Sequence, residues 1–343
     1  MQMRFVFRAL LLLVSAALFI VTAHARQRDH PATPAQPAAP QAPEAPGYRR
    51  VLPWGPVPEN PGVFWEMGRV AVNTAGDKLY AFRRSDPPLL EIDVETGAIT
   101  REWGAGMFVW PHGLHIDVDG NIWATDGTVS NTVPELAKKL KPALEAGFGH
   151  QVFKFSPEGK VLMTLGTKGV AGESPTLFNA PADVIVARNG DIFIADGHVG
   201  TRIAKFSKDG TFLKSWGTKG SGPGQFSQPH SIALDSQGRV FVGDRGNARI
   251  EIFDQDGAYL GEYAQFGNPS GVAIAPDDTM YVTDQAQKIV TVGSARDGSV
   301  FGIIPDVWAE GVSVDVQHTV YAGEVFRRNL KKFIFTRPGA QPR

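Results

Sequence analysis

The chain has 343 residues, 43% of them hydrophobic, and a formal charge of −1. It is long enough for a large core, and with no basic excess and no block of like charge it offers nothing that would recognise nucleic acid. Cysteine is absent, which excludes disulfides and a lipid-acceptor thiol, and a domain of this size needs neither.

The N-terminus opens with Met1-Gln2-Met3-Arg4, carries an apolar run from Ala9 to Val21, and then Ala23-His24-Ala25. A basic start, an apolar run and a small-x-small site describe a secretory signal peptide over residues 1–25. A retained anchor would need nearer to about 20 apolar residues. The chain is therefore expected to be exported, to the periplasm or beyond the cell, with no stable membrane insertion after processing. Residues 26–47 are rich in Pro, Ala and Gln and read as an extended linker. The folded part is expected over 48–337, with a short tail at 338–343.

From there a strand-start pattern recurs: a key position, any residue, an apolar residue, any residue, an apolar residue. It begins at Gly68, His112, Ala182, His230, Ser270 and Glu310. Each instance leads through a turn into a second strand rich in Val, Ile, Phe or Tyr, which often ends in Asp. The third unit shows four strands, Asp183–Ala187, Asp191–Ala195, Arg202–Phe206 and Phe212–Trp216, with Asn189-Gly190 and Asp209-Gly210 as hairpin turns. One long helical pattern, near 133–146, reads as an insertion in unit two.

Spacings of roughly 40–50 residues with four short strands each predict an all-β, six-bladed propeller. The last unit supplies only three strands, Val312–Asp315, Val320–Gly323 and Leu330–Phe335. An unpaired edge is an aggregation hazard, so Tyr48–Leu52 is expected to complete it and close the ring.

The first strand of each blade lines the central channel. His112, His230 and Glu310 therefore belong to blades two, four and six, and Gly68, Ala182 and Ser270 leave room between them. Catalytic zinc takes three protein ligands, His₂Glu among the known sets, and the same residues suit Fe(II) as a two-histidine, one-carboxylate triad. A lone Pro-His at a strand start is more often a satisfied core histidine. A matched set on alternate blades points to a metal. His115, His150 and His318 fall off the key positions and are expected not to ligate.

The run Trp110 to Asp126, His150 to Phe155, Phe178 to Arg202 and Gly224 to Leu234 resembles the peptidyl-α-hydroxyglycine α-amidating lyase family of NHL-repeat propellers, from about residue 65 to 335. The resemblance implies cleavage of a peptide ending in α-hydroxyglycine into a peptide amide and glyoxylate, with zinc held by three histidines. His112 and His230 match two of them, and Glu310 stands at the third. It also implies a structural calcium, partly bound by the carboxylate that follows the third histidine. Gly311 stands there, which tells against calcium. Arg84 matches an arginine that meets the substrate carboxylate, with Arg83 one residue away. Arg245 matches a second arginine lining the site. His198 stands where the family has a tyrosine proposed as the base, and histidine can take that proton.

These readings favour a monomeric metal-dependent lyase acting on a small molecule or a peptide C-terminus. Two others remain open. A propeller lactonase or esterase would be marked by calcium, and a non-catalytic NHL-repeat binding protein by the lack of any transition metal.

Overall fold

The computed structural model describes residues 43, 45, 47–55, 66–127 and 147–336. The leader, most of the linker and the helical insertion expected at 133–146 lie outside the described residues. No helix among the described residues is long and apolar enough to cross a membrane.

The expected propeller is present. Six four-stranded antiparallel sheets follow one another along the chain. Blade one is Met67–Val72, Lys78–Arg83, Leu89–Asp93 and Ile99–Trp103; blade two is Pro111–Ile116, Ile122–Asp126, Gln151–Phe155 and Val161–Leu165. Blade three is Asp183–Val186, Ile192–Asp196, Arg202–Phe206 and Phe212–Trp216. Blade four is Pro229–Leu234, Val240–Asp244, Arg249–Phe253 and Tyr259–Tyr263, and blade five is Pro269–Ile274, Thr279–Asp284, Ile289–Ser294 and Val300–Pro305. Blade six takes Gly311–Val314, Val320–Glu324 and Asn329–Phe335 from the C-terminal end and Tyr48–Arg50 from the N-terminal end, in the register Tyr48↔Phe335. The closing strand is shorter than Tyr48–Leu52 but stands where the unpaired edge required it.

One aromatic per blade explains why the ring closes. The second strands carry Tyr80, Trp123, Phe193, Phe241, Tyr281 and Tyr321 at equivalent places, and each packs into the core of the next blade. Tyr321 of blade six lies with Met67, Leu79 and Leu90 of blade one. Burying such a ring stabilises by about 1.5–3 kcal/mol, so closure is reinforced by the same contact as every other blade junction. Tyr48 adds a polar tie, its hydroxyl lying 2.7 Å from that of Tyr281.

The carboxylate that ends the second strand positions the start of the first. Asp126 accepts the backbone N–H groups of Val109 and Trp110, Asp244 those of Ser227 and Gln228, and Glu324 that of Trp308. Each bond falls within three residues before His112, His230 or Glu310. The repeated acid thus fixes the backbone from which each key side chain projects. Burial pushes the Asp126 carboxyl up to about 6.

Candidate metal centre

The three key side chains of blades two, four and six meet on the axis. Glu310 Oε1 is 3.0 Å from His112 Nε2 and 3.4 Å from His230 Nε2. All three residues are buried, at 1%, 0% and 5% exposure for His112, His230 and Glu310. Nδ1 of His112 faces the carbonyl of Ala182 at 2.5 Å, and Nδ1 of His230 that of Ser270 at 2.7 Å. A carbonyl only accepts, so each Nδ1 carries its proton and each neutral ring turns a bare Nε2 to the axis. The small residues of blades three and five therefore orient the histidines through their carbonyls as well as leaving space.

Burial drives the His112 and His230 rings toward the neutral form, with pKa values below the ordinary histidine range. The Glu310 carboxyl is held well below its usual range, despite burial, by the Arg84 guanidinium. Two bare nitrogens and an ionised carboxylate thus converge, and His230 Nε2 has no hydrogen-bond partner. Acceptors at these distances repel unless a cation lies among them. This donor set fits a transition metal such as zinc or Fe(II).

His198 reaches the same cluster from the loop after the second strand of blade three. Its Nε2 is 2.8 Å from His112 Nε2, and ligand atoms of His112, His198 and His230 all lie within 4.8 Å of one another. The loop can cross here because position 197 is glycine; a Cβ there would collide with the Pro229 carbonyl. Burial and the Arg245 guanidinium hold His198 well below the ordinary range. The other histidines lie apart: His150 Nδ1 accepts from Ala180 N, and His318 Nδ1 lies 2.8 Å from the Tyr281 hydroxyl.

The two arginines differ. Arg84 lies over the Trp110 ring at 4.0 Å, 3.1 Å from Glu310 Oε2 and 3.6 Å from Glu66. Arg83 points elsewhere, to the Pro87 carbonyl and Glu102. Arg245 donates from Nε to Gln228 Oε1, and no carboxylate pairs with it among the described residues. Burial lowers its pKa.

Beneath the cluster lies a layer the repeat pattern passed over. The residues after the key positions are Arg69, Gly113, Asp183, Ser231, Gly271 and Gly311. Arg69 reaches across the channel to Asp183 at 3.3 Å, to the His230 carbonyl at 2.8 Å and to Ser231 Oγ at 3.3 Å. Ser231 Oγ in turn donates to Asp183 Oδ2 at 3.0 Å. The glycines make the space: a Cβ on Gly311 would lie 2.8 Å from Arg69 Cδ, and one on Gly113 2.7 Å from Asp183 Cα. A calcium that draws a carboxylate from position 311 does not fit this layer. The carboxylate is missing, and the Arg69 arm fills its space.

Residues 226–253 match the NHL repeat. The chain is 32% identical to human NHL repeat-containing protein 3 over 285 residues, 77% of this chain and 78% of that one. It is 38% identical over 156 residues to a probable peptidyl-α-hydroxyglycine α-amidating lyase of Caenorhabditis elegans, covering 44% of this chain and 39% of that one. A streptogramin B lyase structure overlays with a TM-score of 0.56 at 13% identity, over 84% of this chain and 97% of that one, a likeness of fold alone. Fold and repeat define an NHL-repeat β-propeller. The chain belongs to the family of NHL-repeat propellers that includes NHL repeat-containing protein 3 and the peptidyl-α-hydroxyglycine α-amidating lyases.

Proposed function

We propose that the chain is an exported, metal-dependent lyase that splits a carbinolamide of the peptidyl-α-hydroxyglycine type into an amide and glyoxylate. The reading is carried by the buried convergence of His112, His230 and Glu310, and it is supported by relatives named for this reaction. The C–N bond breaks, the hydroxyl-bearing carbon becomes the aldehyde of glyoxylate, and the hydroxyl proton ends on the amide nitrogen. Zinc, or alternatively Fe(II), would be held by the axial cluster and would supply the Lewis acidity that makes the hydroxyl more acidic.

The chain's own residues do the rest. Arg245 is a half-buried cation with no carboxylate partner among the described residues, so it would take the substrate carboxylate by a charge-assisted bond. Arg84 is already engaged by Glu310. It keeps that carboxylate ionised and oriented, and a charged product sharing it must compete with Glu310. The Trp110 ring under Arg84 fixes the guanidinium plane. Burial excludes water from the His112 and His230 imidazoles and the Glu310 carboxylate, which strengthens the charge interactions there.

The test is glyoxylate release from an N-acyl-α-hydroxyglycine by metal-loaded protein. Activity is expected, and His230→Ala should abolish it. Metal-loaded wild-type protein that releases no glyoxylate would overturn the substrate assignment.

A further inference from the structure

We propose that His198 is a metal ligand, so that the centre is a set of three histidines and one carboxylate, with one histidine supplied by a loop of blade three. The proposal rests on the metal-centre reading above and goes beyond it. From the sequence, position 198 stands apart from the ligands as a proton acceptor. Its geometry is that of a ligand.

A base must aim a free lone pair at the substrate. His198 Nε2 is aimed into the cluster, 2.8 Å from His112 Nε2. Ligand atoms about 2.0–2.1 Å from one ion at tetrahedral angles lie about 3.3 Å apart. Three of the six distances among the four side chains are 2.8 Å for His198 to His112, 3.0 Å for His112 to Glu310, and 3.4 Å for His230 to Glu310, and the three histidine ligand atoms all lie within 4.8 Å of one another. The rings also crowd together: His198 lies 5.1 Å from His230 at 25°, and 4.1 Å from His112 edge-on.

His112 Nε2 cannot donate to either neighbour, because the ring's proton is committed at Nδ1 to the Ala182 carbonyl. It faces a second imidazole nitrogen and a carboxylate oxygen at once. A shared ion satisfies all four groups. The alternative, a His198 N–H donated to His112, satisfies one pair and leaves His230 Nε2 bare.

Position 198 therefore adds a third histidine to the two supplied by blades two and four. The loop that carries it depends on Gly197. Glu310 remains in the set as its anionic member, oriented through its second oxygen by Arg84, in the way outer groups commonly fix metal-bound carboxylates.

The test uses the full chain loaded with Co(II), wild type against His198→Ala and His198→Tyr. Affinity is measured by chelator competition and coordination by the visible d–d spectrum. Circular dichroism and thermal unfolding verify that each variant is folded. Both variants should bind Co(II) more weakly by more than the roughly 10–100-fold typical of outer-group changes, and their d–d bands should shift. The spectrum decides. An unchanged spectrum, with or without weaker binding, would overturn the proposal, because His198 would then act only through a hydrogen bond. Wild-type protein that binds no metal would overturn it as well. Metal binding as described without glyoxylate release would overturn only the substrate assignment.

Discussion

Asp183→Asn leaves the Arg69 guanidinium buried without its counter-charge, and the cost can be worked from the contacts. The pair is 3.3 Å apart with side chains 4% and 7% exposed. Breaking such a buried pair costs about 3–5 kcal/mol, because one charge is left uncompensated. Arg69 retains the His230 carbonyl and Ser231 Oγ, so the lower half of that range is expected. At roughly 2–4 °C per kcal/mol for a domain of this order, the midpoint should fall by about 6–15 °C. Urea unfolding would give the free energy directly. Arg69→Met should cost a similar amount, and the double variant should be less destabilised than the sum of the singles, since neither charge is then stranded. Asp183→Asn within about 1 kcal/mol of wild type would show that the channel layer is solvated, and the account of the Arg69 bridge would fall.

Three further outcomes follow from the site. Gly197→Ala should collide with the Pro229 carbonyl and displace the His198 loop, weakening metal binding while the far-UV spectrum is kept; unchanged affinity would contradict this. Arg245→Met should raise KM for a carboxylate substrate by about 10–100-fold with a smaller change in kcat, as expected for loss of a charged hydrogen bond of about 1.5–3 kcal/mol; steady-state kinetics would show it. Burial pulls His115 down to about 4. Its unfolded form takes a proton near pH 6.5 and its folded form does not, so its contribution is complete above 6.5 and is lost as pH falls toward 4. His115→Leu should therefore lose less stability than wild type over that window, by up to roughly 3 kcal/mol. Parallel pH profiles for the two proteins would refute it.

The six strand starts were legible because one period carries them, and the ring makes blades two, four and six neighbours around the axis. The missing partner of blade six was legible too, since an open edge has a physical cost. Two features escape the period, although the resemblance places one of them, His198, in the site as a base. Arg69 and Asp183 sit one place beyond the key position, where the pattern allows any residue. Compared across blades, that column holds one cation, one anion, one hydroxyl and three glycines, which is the signature of a charge pair spanning a narrow channel. His198 lies outside the strand period altogether. Its approach depends on a loop crossing above Pro229, a tertiary fact that the glycine before it hints at and does not specify.

Elemental analysis of the purified protein, beside His112→Ala and His230→Ala, tests most directly whether these side chains hold a transition metal. One equivalent of zinc or iron in wild type, lost from both variants, is the expected result. Folded wild-type protein that holds no transition metal, even after incubation with zinc or Fe(II), would contradict it.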